Sequence, residues 1–262
     1  MNTENDARSQ NPCLCFDLGG VLIRNAVFTG LPALLPAGQD LSVLRQRWLH
    51  STVIRRFESG LCSADEFAQA FVQEWDLSVS ASEFLQEFYR WPQGFYEGVS
   101  ETLHSLRPHY QLACLSNSNS LHWQKFADLL SVFDPALSSH QLGIMKPDVA
   151  IFEAAAVRLQ REPQQIWFFD DMEENVIAAR SAGWQAWQVQ GWDGTRAQLA
   201  ALAAQYSGIE PVELDVTDDA SVARLVDHLA GRPVEVLMAN AGGAKFKEPE
   251  VKAAAAADAS AK

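Results

Sequence analysis

An α/β fold built on a parallel sheet, interrupted early by a helical insertion, is what the 262-residue sequence predicts. Apolar runs at 13–16, 111–115, 165–169 and 185–189 are separated by stretches of helical spacing. Such alternation implies parallel strands joined by right-handed helical crossovers, with helices on both faces. Three of these runs end on polar residues: Asp17, Ser116-Asn117 and Asp170-Asp171. Open α/β sheets keep their ligands at that carboxyl edge. Residues 25–94 instead carry helix starts and no strand–helix alternation.

Taken in order, Cys13-Leu14-Cys15-Phe16 is a run that suits a strand buried on both faces, and it delivers Asp17 to its end. Gly19-Gly20 follows, where glycine lets the backbone turn sharply and approach a bound group. Leu41 to Phe57 is an amphipathic helical stretch with Leu44, Trp48 and Val53 or Ile54 on its apolar face. Ser63-Ala64-Asp65-Glu66 and Ser80-Ala81-Ser82-Glu83 are capping boxes, each leading into aromatic residues at helical spacing. Trp91-Pro92-Gln93-Gly94 breaks the helical run. Beyond it come a helix over 99–106, the strand 111–115, helix over 121–130 and a short strand at 136–138. The loop Gly143 to Pro147 then leads to a helix over 148–159, the strand 165–169, a helix over 173–181 and a last strand at 185–189.

The net charge of −13 and pI near 4.8 argue against general nucleic-acid or anionic-membrane binding. No run approaches the roughly 20 apolar residues of a membrane span, and Met1 to Pro12 has no signal-peptide core. Cys13, Cys15, Cys62 and Cys114 lack disulfide or zinc spacing, so a reduced, cytoplasmic setting is expected. The aromatics Trp48, Phe57, Trp75 and Trp91 read as core before pocket lining, and His122 as a surface or capping residue. Arg24 and Asn25 follow the first strand closely enough to face a ligand.

Collected at one edge, Asp17, Ser116-Asn117, Lys146 and Asp170-Asp171 form a set suited to phosphoryl transfer. An aspartate can act as nucleophile, a hydroxyl and an amide can hold a phosphoryl oxygen, and a lysine can stabilise charge in the transition state. An acidic pair suits Mg²⁺, which takes carboxylate and water oxygens. Each piece has a plainer alternative: a turn at Ser116 to Asn119, a solvated loop at Lys146-Pro147, a helix cap at Asp170-Asp171. Their joint placement at strand ends favours the site.

The series Phe16-Asp17-Leu18-Gly19-Gly20-Val21, Leu115-Ser116-Asn117-Ser118-Asn119, Met145-Lys146-Pro147 and Phe168-Phe169-Asp170-Asp171-Met172-Glu173-Glu174-Asn175 resembles the four motifs of the haloacid dehalogenase superfamily. Within it the chain is most similar to small-molecule phosphatases with a helical cap, such as bacterial glucose-1-phosphate phosphatases and the phosphatase domain of soluble epoxide hydrolases. Phe57-Glu58-Ser59-Gly60-Leu61-Cys62-Ser63-Ala64-Asp65-Glu66-Phe67 resembles their cap.

The resemblance implies a Rossmann-like core at 12–24 and 95–204, an inserted helical cap at 25–94, Mg²⁺ and an aspartyl-phosphate intermediate. It implies Asp17 as nucleophile and metal ligand, Ser116 and Asn117 as phosphate-binding, and Lys146 bridging nucleophile and phosphate with Asn175 to orient it. Asp171 would bind the metal directly, and Asp170 directly or through water. The substrate implied is a small phosphorylated metabolite, with sugar phosphates among the candidates.

One position departs from the pattern. Most of these phosphatases carry a second aspartate two residues after the nucleophile, as general acid and base; here it is Gly19, whose carbonyl can bind the metal but cannot move a proton. General acid–base help is worth about 10² to 10⁴ in rate, so the sequence predicts turnover that depends steeply on leaving-group acidity. Two alternatives follow: a 2-haloacid dehalogenase, or a binding or regulatory protein with weakened catalysis. The acidic pair Asp170-Asp171, costly without a cation beside it, favours the phosphatase.

Residues 205–243 resemble an interior fragment of a short-chain dehydrogenase/reductase, with Asp215 and Asn240-Ala241-Gly242 in matching places. Neither the glycine-rich phosphate loop nor the catalytic tyrosine of that family is present, so no nucleotide binding is expected. Residues 244–262 are alanine-rich and predicted to be disordered.

Overall fold

The computed structural model describes residues 11–25, 27–35 and 40–205. All of them belong to the first of two compact units, Met1–Pro211, and the dehydrogenase-like fragment and alanine-rich tail lie outside the described residues.

β1 (Cys13–Phe16) is the middle of a parallel five-stranded sheet. It pairs on one side with β4 (Gln111–Ser116), which pairs with β5 (Ala136–Ser138). On its other side lies β6 (Ile166–Asp170), followed by β7 (Gln185–Gln188). The chain thus builds outward from β1 in one direction and then in the other, which opens a crevice at the carboxyl end of β1. The registers Phe16↔Cys114 and Phe16↔Phe169 bring Asp17, Ser116 and Asp170 to that crevice together.

Strand side chains alternate between faces, and the two faces have separate cores. Leu14, Phe16, Leu112, Cys114, Trp167 and Phe169 pack on one face with Leu103 of the helix Val99–Leu106 and Leu199 of the helix Gly191–Gln205. Cys13, Cys15, Ala113, Leu115, Ile166 and Phe168 pack on the other with Phe152 of the helix Val149–Leu159 and Val176 of the helix Glu173–Ser181. A strand covered on both sides cannot alternate apolar with polar, which is why these runs are unbroken. All four cysteines are free thiols, and Cys13, Cys15 and Cys114 are buried as small apolar residues.

Between β1 and β4 the chain forms a helical block: α1 (Val27–Gly30), a 3-10 turn (Leu31–Leu34), α2 (Leu41–His50), α3 (Thr52–Glu58), α4 (Ala64–Glu74) and α5 (Ala81–Arg90). Both capping boxes form as expected: Ser63 and Ser80 each accept from the N–H three residues on and donate their own N–H to Glu66 and Glu83, the latter at 2.8 Å. The block has its own aromatic core, in which Phe57 stacks on Phe67 at 4.2 Å and Phe71 on Phe84 at 4.4 Å. Phe57, Trp75 and Trp91 are buried there and Trp48 packs against them, so these four are core residues.

Three local expectations are corrected, and one strand pair is added. The stretch Leu41 to Phe57 is two helices, because Ser51 is extended and its Oγ caps α3 by accepting from Ile54 N. The helix expected over 121–130 divides at Phe126 into α7 (Ser120–Lys125) and α8 (Ala127–Leu130), α6 being Val99–Leu106. Residues at the Trp91–Gly94 break form β3 (Pro92–Phe95), antiparallel to β2 (Ile23–Asn25). Strands this short, one holding Pro and Gly, give no periodic signal. His122 is buried, as described below. Arg24 is exposed, its guanidinium over the Tyr96 ring. Among the described residues no helix is long and apolar enough to cross a membrane.

Candidate active site

Asp17 leaves the end of β1 with its backbone N–H bonded to Phe169 O, which holds it against β6. Its carboxylate accepts from Lys146 Nζ at 2.8 Å, and the same ammonium donates to Asp170 Oδ2 at 2.6 Å. All three side chains are buried, so solvent does little to screen the ion pairs. Burial alone would push the Lys146 ammonium toward neutrality, but the charges of Asp17 and Asp170 outweigh it and hold its pKa above the ordinary lysine range. Burial pushes Asp17 up, with Asp170 adding to it, while Lys146 and the Ser116 hydroxyl draw it back.

The lysine comes from the loop after α9 (Ser139–Leu142), and a long-range clamp sets its position. Asn117 Oδ1 accepts from Lys146 N, and Asn117 Nδ2 donates to Lys146 O, both at 2.9 Å. The side chain expected to hold phosphate therefore positions the lysine backbone. Ser116, at the end of β4, is buried beside Asp17.

Asp170 is fully buried and its oxygens are taken up by protein donors. Oδ1 accepts from Met172 N at 2.8 Å and from Asn175 Nδ2 at 2.9 Å; Oδ2 accepts from Lys146 and, at 3.1 Å, from Asn175. Asn175 thus reaches Lys146 through Asp170, whose carboxylate both side chains bond. The plainer alternative for this acidic pair, a helix cap, does not hold, since the N-cap position is Met172.

Asp171 is differently placed. Burial, then the charges of Asp17 and Asp170, push its carboxyl up to about 7. Gly20 makes room for it: φ is +80°, and a Cβ there would lie 2.5 Å from Asp171 Oδ2. The loop is fastened by Gly191 N to Gly20 O at 2.8 Å and Val189 N to Asp170 O at 3.0 Å.

Three carboxylates thus gather around one ammonium. Among the described residues no three carboxylate, imidazole or thiol side chains converge tightly enough to hold an ion by themselves. The donors nonetheless suit a hard cation that also takes carbonyl, water and substrate oxygens: Asp17 and Asp171 are the acids not saturated by protein donors, and a cation between them would relieve the repulsion that raises Asp171.

One carboxyl near this group was not anticipated. Glu58, at the end of α3, lies within the field of Asp17 and Lys146. It lies in the stretch Phe57 to Phe67 that resembles the family's cap, but it follows Arg55-Arg56 on a helix with exposed polar residues, and nothing in that stretch gives its carboxyl a chemical role.

A family model described as haloacid dehalogenase-like hydrolase matches residues 12–183, more than half of the chain. A Mycobacterium tuberculosis protein named as a phosphatase is 28% identical over 156 residues, 56% of this chain and 72% of its own. Among solved structures, a Bacteroides thetaiotaomicron HAD family enzyme in complex with magnesium and inorganic phosphate is similar in fold, with a TM-score of 0.57 and 21% identity over 69% of this chain and 94% of that one. A predicted HAD-like family hydrolase from Porphyromonas gingivalis gives a TM-score of 0.61 and 22% identity over 73% of this chain and 97% of its own.

Proposed function

The chain belongs to the haloacid dehalogenase-like hydrolase family, and from that premise we propose that it is a Mg²⁺-dependent phosphatase of a small phosphorylated metabolite. The observation that carries the reading is the buried Asp17–Lys146–Asp170 chain with Asp171 beside it. A carboxylate held by an ammonium keeps its charge and its aim, as a nucleophile must. Asp17 attacks phosphorus, the bond to the leaving oxygen breaks, and water then cleaves the aspartyl phosphate to restore Asp17. Lys146 stabilises negative charge on Asp17 and on the transferring group. Ser116 and the Asn117 backbone hold phosphoryl oxygens.

Asp17, Asp171 and the Gly19 carbonyl would hold Mg²⁺, and Asp170, its oxygens already occupied, would reach it through water. The ion would polarise the phosphoryl group and offset the site's excess negative charge. The relative named as a phosphatase and the fold neighbour bound to magnesium and phosphate agree with this reading. The helical block at 25–94 serves as the cap over the substrate, and the sugar phosphates remain candidates for it.

The test is phosphate release from a panel of small phosphate esters with and without Mg²⁺, run beside 2-haloacids. Metal-dependent phosphate release is expected. Halide release without metal, or binding of the esters without turnover, would replace this reading with a dehalogenase or a binding protein.

A further inference from the structure

The mechanism above leaves one proton without a carrier. Position 19 is glycine, and Asp17, Lys146 and Asp170 are tied up in charge-assisted hydrogen bonds. The leaving oxygen needs a proton as its bond to phosphorus breaks, and the attacking water must later lose one.

The helical block brings one further carboxyl to this group, that of Glu58, and the fold fixes the residue that bears it. Ser139 Oγ, fully buried, donates to the Glu58 carbonyl at 2.6 Å and accepts from Ser118 N at 3.0 Å. One hydroxyl thus links the end of α3 to the loop that carries Ser116 and Asn117. The turn after Glu58 lies tightly on the same segment: Gly60 has φ +71°, and a Cβ there would meet His140 O at 2.5 Å. Ser59 N–H to Arg55 O and Leu61 N–H to Arg56 O close the helix end around it.

Its side chain is partly buried, and among the described residues no hydrogen bond or ion pair engages its carboxylate. The charges that act on it are those of Asp17, Lys146 and Arg55.

We infer that Glu58 is the acid and base of the reaction, supplied by the helical block in place of the missing residue at position 19; the inference rests on the phosphatase reading above. In the first step an Asp17 oxygen bonds to phosphorus, the bond from phosphorus to the leaving oxygen breaks, and that oxygen takes the Glu58 proton. In the second, water bonds to phosphorus, its proton passes to Glu58, and the bond to Asp17 breaks. Ester and water become alcohol and phosphate, and both carboxyls return to their starting forms. Burial, the largest cause, raises the Glu58 carboxyl above the ordinary glutamate range and so favours the protonated form that the first step uses.

The experiment is kcat/KM for parent and Glu58→Gln with Mg²⁺, over aryl and alkyl phosphates of graded leaving-group pKa. The parent series should be nearly flat, contrary to what Gly19 alone predicts. Glu58→Gln should lose about 10²-fold or more on alkyl phosphates and little on 4-nitrophenyl phosphate, so that its series turns steep. Equal loss on all substrates would make Glu58 a binding residue only, and no loss would remove it from the reaction; either overturns the inference. Should Glu58→Gln fail to fold, Glu58→Asp keeps the acid but withdraws it, and an unsteepened series overturns the inference equally. A parent that releases no phosphate in Mg²⁺ overturns the phosphatase reading and this inference with it, whereas an active parent with unchanged slopes in the variants overturns the inference alone.

Discussion

At the scale of single residues, Asp17 and Gly20 have different jobs in one turn. Asp17→Asn keeps the shape but gives a poor nucleophile and weakens the pair with Lys146. Turnover should fall below about a tenth of the parent's while the circular dichroism spectrum is retained; a variant that keeps more would exclude the covalent route. Gly20→Ala acts on geometry alone. A side chain at φ +80° costs about 1–2 kcal/mol, and its Cβ would push on Asp171 Oδ2. The variant should unfold at lower urea concentration and need more Mg²⁺ for half-maximal activity. An unchanged Mg²⁺ requirement would show that Asp171 does not serve the metal.

At the scale of elements, α7 fastens the sheet to the helical block. His122 Nε2–H donates to Phe88 O at 2.8 Å, its Nδ1 accepts from Asn119 Nδ2 at 3.2 Å, and its ring stacks on Phe88. The tautomer follows from the partners, since a carbonyl can only accept. Lys125 Nζ reaches the Tyr89 and Pro92 carbonyls, both at 2.7 Å, and so covers the end of α5. Burial lowers the His122 pKa to about 4, with Lys125 opposing the proton too and the Phe88 carbonyl favouring it. The unfolded imidazole titrates near 6.5, so between those values the unfolded chain binds a proton that the folded chain refuses. Stability present above the unfolded pKa is therefore lost as pH falls, by up to about 3 kcal/mol. Urea midpoints measured from pH 7 to 5 should drop more for the parent than for His122→Gln. Parallel curves would mean that His122 is protonated in the folded protein.

At the scale of the molecule, the described residues carry three cores: one on each sheet face and one inside the helical block. The last helix of the described residues, Gly191–Gln205, places Leu199 and Leu202 in the first of these. The residues that follow contribute none of the site residues assigned above. Truncation after Ala204 should leave phosphatase kinetics nearly unchanged, and NAD(P) added to the full chain should give no binding heat in calorimetry. Insolubility of the truncated chain would mean instead that the segment covers apolar surface, and a binding heat would give the dehydrogenase-like stretch a ligand.

How much the sequence determined by itself follows from what is local in it. The apolar runs, the polar residues that end them and the two capping boxes are legible because a strand buried on both faces and a helix start each leave their mark within a few neighbouring residues. Their order along the chain sufficed to bring Asp17, Ser116, Lys146 and Asp170-Asp171 to one edge. Tertiary structure decided what distant partners decide. Asn117 clamps a backbone 29 residues away, and Asn175 reaches Asp170 rather than the lysine. His122 owes its burial to a carbonyl 34 residues earlier. Glu58 sits 41 positions after Asp17, and although it lies in the cap-like stretch Phe57 to Phe67, nothing in its own helix gives its carboxyl a chemical role. Hydrogen bonds and charge fields act through space, so the roles of these side chains arise only once the helical block is seated on the sheet.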